Sequence, residues 1–264
     1  RQRSTWRITS FNGSIVNNST SAQTINMALG FDAERTIDAA AGDMTFGGTI
    51  SNGVGLIFTG VSNNTVSGVV SGAGTIAKTG TGTLVLSGAN DYTGATTVTN
   101  GVLQIANATA LGTTAAGTTV VSGATLDLNG QAVGAEALSL AGTGVGGNGA
   151  LINSSASAAS LSGAITLTGN STIGTTGDLT LTGVLSGGFS LTKTGAATLT
   201  LDANNTYSGG TVVSAGVVLA DTDTGFGSGA ITINGGGIGS TGARTIGNNL
   251  VAGGDFFMSG VTVY

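Results

Sequence analysis

The sequence predicts an all-β fold, a parallel β-helix or β-solenoid, on three observations. Gly accounts for 49 of 264 residues while Pro is absent, apolar residues alternate with Thr, Ser and Asn at period two, and long stretches of the chain repeat. With 40% hydrophobic content, burial can offset the ordering entropy of so Gly-rich a chain, so it is expected to fold. The length suffices for a sizeable core.

The strands come from paired aliphatics, Leu84 and Leu86, Leu103 and Ile105, Leu126 and Leu128, Ile165 and Leu167, Leu179 and Leu181, Leu199 and Leu201, Ile231 and Ile233. Residues two apart point to one face of a strand, so each pair lies inward and the intervening hydroxyl residues lie outward. Gly and Asn close the runs as turns. No segment carries a sustained 3.6-residue period; "NSSASAASLSGA" from Asn153 comes nearest and lacks a charged face, so almost no helix is expected.

The repeat decides between a solenoid and a sandwich or barrel. At an offset of 115, Lys78 matches Lys193, Gly80 Gly195, Leu84 Leu199, Leu86 Leu201, Asn90 Asn205, Tyr92 Tyr207, Gly94 Gly209 and Gly101 Gly216, without a slip in register. "GDMTFGGTISNG" from Gly42 aligns with "GDLTLTGVLSGG" from Gly177, and "TINMAL" from Thr24 with "TIGNNL" from Thr245. Recurring positions are what stacked coils require, each touching only its neighbours. Residues 1–264 are expected to form a single β-solenoid, with 72–107 and 187–221 as the best-matching repeats. At roughly 20 residues and about 4.8 Å per coil it would extend on the order of 60 Å. Residues 1–23, which include the only Trp and the "RQR" start, are expected to cap a coil or mediate assembly.

Charge narrows the function. Twelve acidic and seven basic residues give −5, and three of the arginines fall within the first seven positions, so no basic surface exists for nucleic acid. Mean hydropathy is +0.36, yet polar residues interrupt every apolar run before the roughly 18 residues of a transmembrane helix. Aromatics at 5% are too few for the girdles of a membrane barrel. The start lacks an initiator Met and an apolar signal core, which places any export signal outside this stretch. Absent Cys excludes disulfides and thiolate metal sites, and absent His excludes imidazole acid–base chemistry.

Each remaining candidate has a structural counterpart. Lys78 or Lys193 could activate a Ser nucleophile if desolvated beside one, but duplication favours a corner role. Tyr92 and Tyr207 could stack on carbohydrate; the structural alternative is an aromatic covering the adjacent coil, with Asn90 and Asn205 supplying turn geometry or an amide ladder. Asp221 and Asp223 resemble the opening of a calcium loop without its later ligands. The ten Asp and two Glu are scattered singly, and neither Arg35 nor Arg244 has an acidic cluster, which disfavours glycosidase and lyase chemistry. Thr-x-Thr triplets at 166–168, 180–182 and 198–200 suit an ice-binding face but also any solvated strand. No catalytic, cofactor or metal site is expected.

Residues Ile76 to Ala106, "IAKTGTGTLVLSGANDYTGATTVTNGVLQIA", and Leu191 to Ala220, "LTKTGAATLTLDANNTYSGGTVVSAGVVLA", closely resemble the autotransporter-associated β-strand repeat, also called the passenger-associated transport repeat. The resemblance implies a right-handed parallel β-helix secreted unfolded by a bacterium and folded outside the cell, with the translocator barrel elsewhere. It implies a non-enzymatic surface protein, a stalk or adhesin passenger fragment located extracellularly or on the outer cell surface. The expected partner is a host or cell-surface receptor, or further copies of the chain. A subunit of a self-assembling extracellular filament is the alternative.

Overall fold

The computed structural model describes residues 7–8 and 13–263. Residues 1–6 and 9–12 of the expected cap or assembly segment, Trp6 among them, lie outside the described residues. The described residues are strands joined by short turns, and the only helix among them is the 3-10 turn Val145–Gly147. Two compact units divide the chain, Arg1–Thr119 and Val120–Tyr264.

The first unit is a three-faced parallel β-solenoid. One face stacks Ile15–Val16, Arg35–Ala39, Gly55–Gly60, Thr75–Lys78 and Thr96–Val98. A second stacks Gln23–Ile25, Met44–Phe46, Asn64–Val66, Thr83–Leu86 and Val102–Ile105. The third stacks Ala28–Phe31, Ile50–Asn52 and Val70–Ser71. Register partners such as Gly55 and Thr75 are one coil apart, so inward residues fall into columns: Phe46, Val66, Leu86 and Ile105 form one and Leu29, Ile50 and Val70 another. Each fully buried Leu or Ile contributes about 1.5–3 kcal/mol before entropy is subtracted.

The second unit has the same plan. Leu151–Asn153, the end of the long strand Ile165–Thr175, Leu191–Thr194, Thr211–Val213, Ile231–Ile233 and Leu250–Ala252 stack on one face. Ala159–Leu161, Leu179–Leu181, Thr198–Leu201, Val217–Ala220 and Gly237–Ile246 stack on a second. Leu138–Gly142, the start of Ile165–Thr175 and Leu185–Ser186 form the third. Ala159, Leu179, Leu199, Val218 and Ile238 make one of its inner columns.

Polar corner side chains hold the step from coil to coil. The Asn63 amide N–H donates to Asp43 Oδ1 at 2.9 Å and the Thr83 N–H to Asn63 Oδ1 at 2.8 Å. In the second unit the Thr198 N–H donates to Asp178 Oδ1 at 2.9 Å. Each bond joins residues 20 apart, one coil, and supplies an acceptor where the strand ladder has ended.

Candidate functional site

The residues that repeat at the 115-residue offset assemble two stations, built alike in each unit. At the first, alternation along Thr75–Lys78 and Leu191–Thr194 turns the lysines inward, where Lys78 is 1% and Lys193 0% exposed. Lys78 lies in a column between Phe58 and Val98, and Lys193 between Ile173 and Val213. The lysines occupy the interior at the strand–turn junction, where their ammonium groups find backbone oxygens. Lys193 Nζ donates to the carbonyls of Thr194 at 2.7 Å, Gly195 at 2.7 Å and Ala215 at 3.2 Å. Lys78 Nζ donates to those of Gly80 and, at 3.2 Å, Asn100.

Burial lowers both lysines from the usual 10.5 to about 8; for Lys193 the nearby Asp178 carboxylate opposes the shift. A lysine so shifted can serve as a base, but the acceptors around each are main-chain carbonyls, with no Ser hydroxyl among the bonds. Gly101 and Gly216 complete the box. Each has a positive φ, 66° and 70°, and a Cβ there would stand 2.7 Å and 2.8 Å from the lysine nitrogen.

The second station is the Asn–Tyr corner. Asn90 Oδ1 accepts the Val70 N–H at 2.9 Å and its Nδ2 donates to the Ala110 carbonyl at 2.7 Å. Asn205 repeats this with the Leu185 N–H at 2.8 Å and the Gly225 carbonyl at 2.7 Å. Each partner is 20 residues away, so one amide clips the coil before and the coil after. Asn suits the position because a single short side chain offers both an acceptor and a donor.

Tyr92 and Tyr207 are 0% exposed, so they are core side chains with no face for a sugar. Their hydroxyls lie 2.7 Å from Thr96 Oγ1 and 2.6 Å from Thr211 Oγ1, which satisfies a phenol in a dry interior. Burial pushes the Tyr207 phenol well above its ordinary range, with the Thr211 bond opposing. Gly80, Gly94, Gly195 and Gly209 lie where a Cβ would come 2.2–2.3 Å from the backbone of the preceding coil. Leu84, Leu86, Leu199 and Leu201 line the core at 0% exposure.

Other candidates are placed apart from these stations. Asp221 Oδ1 accepts from the Thr241 N–H at 3.0 Å and Thr241 Oγ1 at 2.8 Å, and Asp223 Oδ1 from the Thr245 N–H at 3.4 Å. No group of three or more His, Cys, Asp or Glu that could hold a metal occurs among the described residues. Arg35 pairs with Asp32 at 3.5 Å. Thr180 and Thr200 are outward neighbours in register. No helix among the described residues is long and apolar enough to cross a membrane.

Two further pairs escaped the sequence reading. Asn17 Nδ2 donates to the carbonyls of Ser21 and Asp43, at 3.0 Å and 3.1 Å. Asn153 Nδ2 does the same to Ser157 and Asp178, at 2.8 Å and 3.0 Å. The signal was present as "NNSTS" and "NSSAS" upstream of the two "GD" turns. Gly112 and Gly227, with φ of 80° and 67°, lie where a Cβ would come within 3.1 Å of the Tyr92 and Tyr207 rings.

Stacked parallel strands with duplicated internal stations define a β-solenoid repeat protein. The family described as Passenger-associated-transport-repeat matches at residues 76–105 and 191–220, the stretches that carry both stations, so the chain carries two copies of that repeat. Over 209 residues, 75% of this chain, it is 34% identical to the Adhesin BmaC autotransporter of Brucella suis biovar 1 (strain 1330). It spans about 6% of the length of that relative. No solved structure matches the chain.

Proposed function

We propose that the chain is a non-enzymatic segment of an autotransporter passenger, displayed on the bacterial outer surface, which acts as an adhesin or its solenoid stalk. One observation carries this reading: the repeated side chains with chemical capacity are inside and engaged with the chain's own backbone. Lys78, Lys193, Asn90 and Asn205 hold carbonyls and amides, and Tyr92 and Tyr207 are sealed in the core. The positions that repeat are structural, and what faces solvent is a surface of Thr, Ser, Asn and Gly suited to contact rather than turnover. Similarity to a protein named as an adhesin supports the same reading.

Display of residues 1–264 on a non-adherent bacterium through an unrelated outer-membrane anchor tests it. The expected result is increased attachment to host cells or matrix-coated wells, with no hydrolysis of glycoside, ester or peptide reporters. Attachment no greater than that of the bare anchor overturns the adhesive part. Regular fibres of purified protein in electron micrographs would replace it with the filament-subunit alternative.

A further inference from the structure

The second unit departs from the 20-residue step where its first coils pair. Leu126 pairs with Leu151, 25 residues on, and Leu138 with Ile165, 27 on, before Leu191 and Thr211 restore the regular spacing. Solenoid insertions emerge as loops on one face, often the binding face. Here the extra residues form the turn around Val145–Gly147, and Thr125 pins it: its Oγ1 accepts the Val145 N–H at 2.9 Å and donates to the Gly149 carbonyl at 2.9 Å. The Gly149 N–H closes the loop onto the Thr143 carbonyl at 2.8 Å.

Beside this pinned loop lies a groove of about 340 Å³. Its floor is the outward face of three paired strands, where Ile152, Gly174 and Thr194 are register neighbours. Gly174 lies between the other two beneath the loop, and Gly is required because a Cβ there would come 2.0 Å from the Asn148 carbonyl oxygen. Asn148 stands on the loop side, and exposed Ser154 and Thr176 stand at the far corner.

We propose that this groove is the ligand site of the segment and that its ligand is a neutral saccharide; the proposal rests on the adhesin reading. None of the lining residues carries a charge, which leaves nothing to pair with a sialate, sulfate or phosphate, and the chain's −5 charge repels anions. The Ser154 hydroxyl, whose proton goes to Asp127 Oδ2 at 2.6 Å, can accept, while the Thr176 and Thr194 hydroxyls and the Asn148 amide offer donors and acceptors together, matching sugar hydroxyls that are also both. Ile152 supplies a small apolar surface for ring C–H groups. An extended peptide is disfavoured, since the floor strand is paired on both sides and exposes no edge there for strand addition. The groove is preformed, so little ordering opposes binding.

Saturation-transfer NMR on the purified 264-residue protein, with lactose, maltose and cellobiose as neutral probes and sialyllactose as the charged one, is the test. Ring protons of at least one neutral disaccharide should receive saturation, and sialyllactose should bind at least tenfold more weakly. Thr194→Arg should weaken neutral binding at least tenfold. Thr79→Arg, at the equivalent repeat position of the first unit, should leave it within twofold. Asn148→Ala, on the exposed loop, should lose at least threefold and serves if Thr194→Arg does not fold. Absence of any neutral signal, preference for sialyllactose, or equal losses from Thr79→Arg and Thr194→Arg overturns the proposal. Attachment by displaying bacteria without a saccharide signal rejects the groove alone, whereas a saccharide signal without attachment rejects the adhesin reading.

Discussion

In the first unit 35 residues separate Asp43 from Lys78; in the second 15 separate Asp178 from Lys193. The difference is 20, one coil, and the corner bonds show where it enters. Asp43 receives Asn63, which receives Thr83, while Asp178 receives Thr198 directly. Thr83 and Thr198 are equivalent in the repeat. The two units therefore share their stations and differ by a whole coil between the Asp corner and the lysine station. Whole coils can come and go because each meets only its neighbours, but a fraction of a coil shifts every inward column out of line.

The sharpest way to break this comparison is by deletion. Removing residues 43–62 puts Asn63 where Asp43 was, with its Oδ1 still facing the Thr83 N–H, and makes the first unit resemble the second. That protein is expected to fold with an unchanged β-sheet circular dichroism shape. Removing residues 43–52, half a coil, is expected to abolish cooperative unfolding of the first unit. Equal behaviour of the two deletions would show that coils are not the exchangeable element.

Charge in a column is the next largest effect. Leu84→Asp and Leu199→Asp each place a carboxylate where the wild-type side chain is fully buried without a polar partner. Each should lose about 5 kcal/mol or unfold its neighbouring coils, because a buried unpaired charge is strongly disfavoured. Limited proteolysis followed by mass spectrometry should locate new cleavage in the first unit for one variant and in the second for the other. Cleavage spread over both units in either variant would contradict nearest-neighbour stability.

The contrast between leucine and lysine explains what the sequence disclosed. Leu84, Leu86, Leu199 and Leu201 were legible because period two and apolarity agree, and both are local properties. The interior place of Lys78 and Lys193 was not, since lysine is ordinarily a surface residue and, besides the local carbonyls of Gly80 and Gly195, each is received by one, Asn100 or Ala215, that lies 22 residues away and comes close only when the coil closes. The double clip of Asn90 and Asn205 was half legible: an amide ladder was among the readings, but the Val70 N–H and Ala110 carbonyl that need it are 20 residues off on either side. The groove left no periodic signal, because an insertion is a departure from the repeat.

Those lysines give the units a shared response to pH. Folding lowers each from 10.5 to about 8, so between about pH 8 and 10.5 the unfolded chain binds more protons and stability rises with pH. Below pH 8 both states are protonated and the lysines add no slope. Above pH 10 the raised Tyr207 phenol reverses the trend, because the unfolded chain then releases its proton first. Urea midpoints from pH 7 to 11 should rise and then fall, by up to about 3 kcal/mol per lysine on the rising side. Lys78→Met and Lys193→Met should each remove part of the rise, and a flat profile in wild type would mean that the carbonyl bonds fully offset burial.

The smallest expected effect separates the two Tyr–Thr pairs. Thr211 Oγ1 also donates to the Phe226 carbonyl at 3.2 Å, so the Tyr207 hydroxyl must donate to Thr211 rather than accept from it. Thr211→Val therefore strands both the phenol proton and a carbonyl, whereas Thr96→Val removes the single bond to Tyr92 at this hydroxyl. Each change keeps the side-chain shape, and Thr211→Val should cost about 1 kcal/mol more than Thr96→Val in urea unfolding. Equal losses would show that the Phe226 carbonyl contributes nothing and that the corners are energetically as alike as their sequences.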